Sequence, residues 1–308
     1  MPIALDAAGA RDLLRARGHD PHDFVPLTGG EWSTAFAFGE NGRELVVRFH
    51  ERRDDLEKDR FAQRWVTPAL RTPRMLEIGD LPEGAYGISE RVIGTPLDAQ
   101  DEASMRRVLP SLLAALDAMR DADLAGTHAY GLWHGDGAAN HLSWRDNLVR
   151  EEPPGQRRKQ REFLARSRAG TAEFDAGLRR MRELLPFCPE ERHLVHNDLL
   201  NFNVFVDAQG VIMLDWGASI FGDFLYDVAL LTFWWPAYAR WPGVDIRAEI
   251  ERHYEEIDLV VPSFAERLRC YELDIGISHI HYQAWRERWD DCAWTARRTT
   301  ELALAPLR

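Results

Sequence analysis

The stretch that decides the fold is His193-Leu194-Val195-His196-Asn197-Asp198-Leu199-Leu200-Asn201-Phe202-Asn203-Val204-Phe205-Val206, followed after a short gap by Val211-Ile212-Met213-Leu214-Asp215-Trp216-Gly217. Apolar, β-forming runs stand on both sides of a polar loop, and a turn around Asp207 to Gly210 folds the later runs into a hairpin. Within that frame lie His-x-Asp-x-x-x-x-Asn, from His196 to Asn203, and Asp-Trp-Gly, from Asp215 to Gly217. Three fixed residues alone recur by chance in a chain of this length on the order of a few per cent of the time. The strands on each side and the arrival of Asp215 at a strand end make the pattern specific. Singly, an Asp or Asn here would read as an ordinary turn residue.

The order and spacing are those of a kinase catalytic loop and its metal-binding triplet, with Trp216 in the Phe position. Phosphoryl transfer passes through a loose transition state with charge on the peripheral oxygens, so a protein must hold Mg²⁺ and point an acceptor oxygen in line. Asp215 is the expected hard-oxygen ligand, and Asn203 offers a neutral carbonyl oxygen to a second ion. Asp198 is expected to accept a hydrogen bond from the acceptor hydroxyl. Beside divalent cations it stays ionised and is a weak base, so it orients the hydroxyl first and takes its proton late. His196 braces the loop rather than transferring protons.

Outward towards the N-terminus, an amphipathic helix (Leu5, Ala8, Leu13, Leu14) precedes a run from Phe24 to Leu27 that ends at Gly29-Gly30. Ala35 to Phe38 and Glu44 to Phe49 flank Asn41-Gly42, a strong hairpin signal. Leu56, Phe61, Ala62, Trp65 and Val66 recur at helical spacing, Pro73 marks a connection, and Tyr86 to Ser89 is a short strand. Gly94-Thr95-Pro96 punctuates the chain there, which divides it into an N-terminal lobe of residues 1–91 and a C-terminal lobe of residues 92–308. A helix is expected from Glu102 to Asp121, with Pro110 kinking it or opening its second half. Gly126 to His141 reads as an ordered loop, Arg150 to Arg168 as a solvated or mobile connection, and Phe174 to Leu185 as a helix. After Asp227 the chain reads as helical, ending in a Trp-rich bundle from Phe264 to Leu304.

Composition narrows the function. The 308 residues carry 38 basic and 50 acidic side chains, a net charge of −12, which argues against a broad grip on nucleic acid. No apolar run reaches the roughly 18 residues of a spanning helix, and the start lacks the basic and apolar regions of a secretory signal. A soluble, cytoplasmic protein with no membrane partner is expected. Three widely spaced cysteines (Cys188, Cys270, Cys292) suggest buried apolar residues rather than a disulfide framework or thiolate metal site. Both lysines, Lys58 and Lys159, follow residues other than glycine, so GxxxxGK[ST] is excluded, and GxGxxG is also missing.

His196 to Asn203 with Asp215 resembles the aminoglycoside phosphotransferase family, relatives of the choline kinases. Within it the chain is similar to the hygromycin B phosphotransferase branch through CPEERHLVHNDLLNFNV (from Cys188), IMLDWGASIFGDFLYDVALLTFWWP (from Ile212), LEKDRFAQRWV (from Leu56) and WDDCAWTARR (from Trp289). The resemblance implies an α+β, protein-kinase-like fold of two lobes: a small antiparallel β-sheet with helices, and a larger, mainly helical lobe. It implies transfer of phosphate from ATP or GTP, with Mg²⁺, to a hydroxyl of a small molecule, often an antibiotic. Carried across by position, Ser33 and Thr34 belong to a nucleotide-positioning loop that begins at Gly29. Arg48 stands where a phosphate-contacting Lys is common, and Glu57 is a candidate partner for it, with Asp59 competing. Ser89 to Arg91 match a hinge whose backbone would meet adenine. A plain hairpin turn, an exposed strand Arg and a simple connector are the bland readings of these three features.

On the acceptor side, Asp223 and Asp227 follow in Gly-Asp-Phe-Leu-Tyr-Asp, and Asp227 is expected to cap a helix or brace the catalytic loop. Trp234, Trp235 and Tyr238 could wall an acceptor ring, although core packing is the commoner use of tryptophan. His279-Ile280-His281 point apart on a helix and suggest no metal. An acidic protein suits a cationic aminoglycoside acceptor, but solubility explains the charge as well. A metabolite kinase for an amino alcohol or sugar would use the same residues, and a nucleotide-binding pseudokinase is the third reading, raised by Arg48. A protein kinase is disfavoured, because the Gly-rich loop, the Lys strand and the Ala-Pro-Glu triplet are missing.

Overall fold

Asn41 and Gly42 have φ of 50° and 73°, the left-handed pair whose twist matches the strands on either side. The computed structural model describes residues 3, 5–27, 32–150, 155–200 and 202–307. It begins with α1 (Ala7–Ala16), β1 (His22–Leu27), β2 (Ser33–Glu40), β3 (Arg43–His50), α2 (Arg53–Ala62), β4 (Met75–Leu81) and β5 (Gly84–Glu90). The five strands make one antiparallel sheet, β1-β2-β3-β5-β4. Val47 and Phe49 of β3 pack with Phe36, Phe38 and Leu14 in the core beneath it. Side chains alternate along a strand, so Val46 and Arg48 face the other way, opposite Ala37 and Ala35 of β2 and Ser89 and Gly87 of β5. Strand β4 is new. It follows the connection marked by Pro73, and its half-buried residues give no clean alternation that would announce a strand.

The chain continues through β6 (Thr95–Pro96), α3 (Glu102–Arg120), β7 (Tyr130–Trp133), β8 (Ala139–His141), α4 (Trp144–Val149), α5 (Gln156–Arg166), α6 (Ala172–Leu184), β9 (His193–Val195), β10 (Val204–Asp207), β11 (Gly210–Met213), β12 (Ile220–Gly222), α7 (Leu225–Trp234), α8 (Ile246–Glu256), α9 (Phe264–Trp285) and α10 (Trp289–Leu304). Helix α3 runs through Pro110 as a single element. The stretch read as an ordered loop, Gly126 to His141, contains the β7–β8 hairpin, which delivers Trp133 to the core with no exposure. The stretch read as a solvated connection, Arg150 to Arg168, contains α5, whose Arg157 is 2% exposed. Buried charge is invisible to a composition argument, because it depends on a partner supplied from elsewhere.

Two small sheets position the deciding segment. In one, β10 pairs with β11 as the hairpin after the polar loop, and β6 lies along its other edge. In the other, β12 pairs antiparallel with β9, Ile220 opposite Val195 and Phe221 opposite Leu194. The strand entering the His196–Asn203 loop and the strand leaving the Asp215 turn are therefore neighbours. Beneath them lies one large core in which α6, α7, α9 and α10 contribute Met181, Phe233, Leu273 and Leu302.

Candidate active site

The two halves of the pattern are joined by their own backbone. The Leu214 N–H donates to the Asn203 carbonyl at 2.8 Å, and the His196 ring, through Nε2, meets the Leu214 carbonyl at 2.9 Å. His196 is fully buried against Trp216, ring centroids 4.8 Å apart, and burial lowers its pKa to about 4. It is thus a neutral donor, which fits bracing and excludes acid–base work near neutrality. Asn197 adopts a left-handed φ of 62°, a conformation Asn tolerates better than most residues. Asp227 fixes that bend by accepting the backbone N–H groups of His196 and Asn197, both at 2.8 Å. It sits inside α7 rather than at its cap, so bracing is the role the structure gives it. Burial pushes its carboxyl up to about 7, against those two hydrogen bonds. Asp198 follows, half-buried, and Asn203 Nδ2 donates to its carbonyl at 3.1 Å.

Asp215 is held from the other lobe. Its backbone is left-handed (φ 59°) and its side chain, 47% exposed, accepts the Gly217 N–H at 3.3 Å. Partial burial works against the charge, but Arg48, the Gly217 N–H, His196 and His50 outweigh it and keep the carboxyl below its ordinary value. Arg48 Nη1 lies 3.6 Å from Asp215, and the same guanidinium pairs with Asp59. Asp59 in turn accepts the Trp216 N–H at 2.8 Å. One helical position earlier, Lys58 is fully buried, with Nζ donating to the Gly217 carbonyl at 2.8 Å and the Ser219 carbonyl at 3.0 Å. It lies 4.6 Å from the centre of the Trp133 ring. Burial lowers its pKa to about 7 despite the pull of Asp55 and Asp54.

Several expectations change here. Glu57 does not pair with Arg48: its carboxylate is bound by Arg53 at 2.9 Å, beside Gly135, and Asp59 takes the Arg48 position instead. Thr34 lies on the far face of β2 and donates its hydroxyl to the Ile3 carbonyl at 2.8 Å, so it does not face Arg48. Ser33 and Ser89 do share the Arg48 face. Arg91 donates its N–H to the Glu44 carbonyl at 3.0 Å and pairs its side chain with Glu44, so its backbone donor is not turned to a base. Gly29, Gly30 and Glu31 lie outside the described residues. Trp235 is not an acceptor wall: it is 6% exposed, donates to the Val244 carbonyl at 2.9 Å and packs on Trp241. Tyr238 stacks on Trp241 at 4.8 Å, half-buried at the core's edge.

The aromatic surface near Asp198 comes instead from the end of α9. Tyr282 lies close enough to Asp198 and Trp32 for both to act on its phenol, whose pKa burial raises. Trp285 stacks on Trp32 at 6.4 Å with planes 4° apart, bridging the two lobes, and both rings are about half exposed, 50% and 46%. No residue spacing announces this pairing, because Trp32 and Trp285 meet only through the fold. Lys58 was equally hidden, one lysine in a run of charges.

Among the described residues no three His, Cys, Asp or Glu side chains cluster as a metal site. Asp215 and Asn203 offer hard oxygens, and Asn203, with Nδ2 turned to Asp198, leaves its Oδ1 on the opposite side of the amide. Two such donors fit Mg²⁺, which takes few protein ligands and completes its shell with water and phosphate oxygens.

A model of the phosphotransferase enzyme family matches residues 23–266. The chain is 31% identical to hygromycin-B 4-O-kinase of Escherichia coli over 300 residues, 96% of this chain and 84% of that one. It is similar to a thermostable mutant of aminoglycoside phosphotransferase APH(4)-Ia in ternary complex with AMP-PNP and hygromycin B, at 30% identity and a TM-score of 0.83, covering 95% of this chain and 97% of that one. Spectinomycin phosphotransferase with ADP and spectinomycin shares the fold, at 14% identity and a TM-score of 0.65, covering 98% of this chain and 99% of that one. Among the described residues no helix is long and apolar enough to cross a membrane.

Proposed function

The chain belongs to the phosphotransferase enzyme family, and from that premise we propose that it moves the γ-phosphoryl group of ATP to a hydroxyl of an aminoglycoside of the hygromycin B type. The observation that carries this reading is the joining of the His196–Asn203 loop to the Asp215 turn through Leu214, which sets an orienting carboxylate beside two hard-oxygen donors. The acceptor class rests on the likeness to a hygromycin-B kinase and to a structure holding hygromycin B with an ATP analogue. Phosphorylating such a drug would protect the cell that carries the enzyme.

In this reading the nucleotide lies between the Arg48 face of the β-sheet, which includes Ser33 and Ser89, and the Asp215 turn. Arg48, fixed by Asp59, offers donors to phosphate oxygens. Asp215 and Asn203 would hold Mg²⁺, which would supply positive charge against the negative charge of the transferred group. Asp198 accepts the hydrogen bond of the acceptor hydroxyl, aligns it, and receives its proton as the new oxygen–phosphorus bond forms and the bond from the γ-phosphorus to the β–γ bridging oxygen breaks, releasing ADP. Tyr282, Trp285 and Trp32 give the acceptor ring an apolar face, and the net charge of −12 favours a polyamine. The lobe boundary is placed between Arg91 and Val92.

A coupled assay of nucleoside diphosphate release, with Mg²⁺ and ATP or GTP, tests this against hygromycin B and an aminoglycoside panel. Turnover that Asp198→Asn abolishes is the expected result. Silence across the panel with tight ATP binding would overturn the acceptor class and favour a metabolite hydroxyl.

A further inference from the structure

Helices α5 and α6 carry a charge opposite to that of the protein. Residues 155–184, which span the two helices, hold nine arginines and lysines against four carboxylates, in a chain whose net charge is −12. Between these helices lies a cavity of about 700 Å³ lined by Arg157, Arg158, Arg161, Arg179 and Arg182, with Asp175 the one carboxylate on its wall among the described residues. From this geometry we infer that the cavity is a second ligand site, distinct from the phosphotransfer site, and that it takes a compact oligophosphate anion free in solution.

The cavity is built rather than a chance gathering of surface charge. Arg161 and Asp175 clamp its two helices together with paired hydrogen bonds of 2.8 and 2.9 Å. Arg157, at the start of α5, is 2% exposed and reaches inward to Asp274, Gln160 and Ser278. Asp274 also receives Arg150 at 3.0 Å, so two guanidiniums share one buried carboxylate and the inner wall keeps an excess positive charge. Arg157 Nε has no hydrogen-bond partner among the described residues, although it is buried. That nitrogen is closed to solvent, so what Arg157 offers a ligand in the cavity is the positive charge of a buried cation that shares its carboxylate with Arg150. Burial accordingly lowers Arg157 to about 10, an unusual value for a guanidinium.

The outer wall points to the same chemistry. Arg179 is exposed, its charge acting on Asp175 of the same wall, and Arg158 pairs with Glu162 at 3.4 Å, largely in water. Guanidinium forks match phosphate oxygens in pairs, and arginines from two helices can surround several phosphoryl groups at once. The volume is that of a small-molecule site, whereas a nucleic acid would need an open basic surface on a protein that is not strongly acidic elsewhere.

The test is calorimetric titration of the full chain with sodium tripolyphosphate at constant ionic strength, with the phosphotransfer site saturated by AMP-PNP and Mg²⁺. One saturable site is expected, together with a rise in melting temperature. The double variant Arg158→Gln/Arg179→Gln should bind at least tenfold more weakly while kcat and the KM for ATP stay at wild-type values. Both positions are exposed, so the variant should fold, and Arg157→Gln serves as a second variant that reads the inner wall. Absent binding, binding unchanged in the double variant, or binding displaced by further AMP-PNP would each overturn the proposal. So would saturable binding of an RNA oligonucleotide or of phosphatidylglycerol vesicles without any response to tripolyphosphate.

Discussion

The loop that presents Asp198 and the turn that presents Asp215 are held by different kinds of physics. Asp198 rests on a loop fixed within its own lobe, by the buried carboxylate of Asp227 and the neutral ring of His196. Asp215 sits on a turn gripped by charged side chains of β3 and α2, from Arg48, Lys58 and Asp59. The first set of contacts lies within one lobe, while the second crosses from one lobe to the other. Under the proposed function, orientation of the acceptor would thereby be local, and placement of the metal-binding carboxylate would be a product of tertiary contact.

The largest expected effect separates the two carboxylates. Asp198→Asn should lower kcat by about 10²- to 10⁴-fold with the KM for ATP within a few-fold of wild type, whereas Asp215→Ala should also weaken Mg-ATP binding. Steady-state kinetics beside nucleotide titration checks this, and equal losses in both variants would remove the distinction.

Lys58→Met probes the grip on the turn. It leaves the Gly217 and Ser219 carbonyls without their donor, at a cost of about 2–3 kcal/mol in a denaturant melt, and kcat should fall at least tenfold. A stable variant of normal kcat would show that the turn holds itself. Within the same helix, Asp59→Asn should raise the KM for ATP about tenfold by releasing Arg48, and Glu57→Gln should change it less than about twofold. The reverse ranking would restore Glu57 as the partner.

A pH series addresses a different lobe contact. Arg71 binds Asp207 at the hairpin tip with hydrogen bonds of 2.8 and 2.6 Å and holds its carboxyl at about 2. Because the folded value lies below the unfolded one, this stability is complete above about pH 4 and lost as the pH falls through about 2. Solvent screening limits it to about 1 kcal/mol, read as the difference between wild type and Asp207→Asn in melts at pH 7 and pH 2.5. A difference that does not shrink at low pH would remove the ion pair as its source. Smallest is the acceptor surface: Trp285→Ala should raise the acceptor KM about threefold with kcat little changed, while Trp235→Phe should alter stability alone. A larger acceptor effect at Trp235 would return it to the wall.

His196, Asp198, Asn203 and Asp215 were legible because a single loop and hairpin spans them, so spacing along the chain fixes spacing in space. The Asn41-Gly42 hairpin was legible for the same reason. The β7–β8 hairpin was not, since its glycines and histidines read as a loop until Trp133 had a core to fill. Trp235 and Trp285 look alike in the sequence, yet one is buried against Trp241 and the other stacks across the lobes.

By itself the sequence determined the reaction class and the order of the motif, because these follow from local spacing, and its resemblance to the family implied the two-lobed plan. The tertiary structure alone decided which acid meets Arg48. Successive helix residues turn by about 100°, so Glu57, Lys58 and Asp59 face three directions, and only the packing of α2 against the Asp215 turn tells them apart.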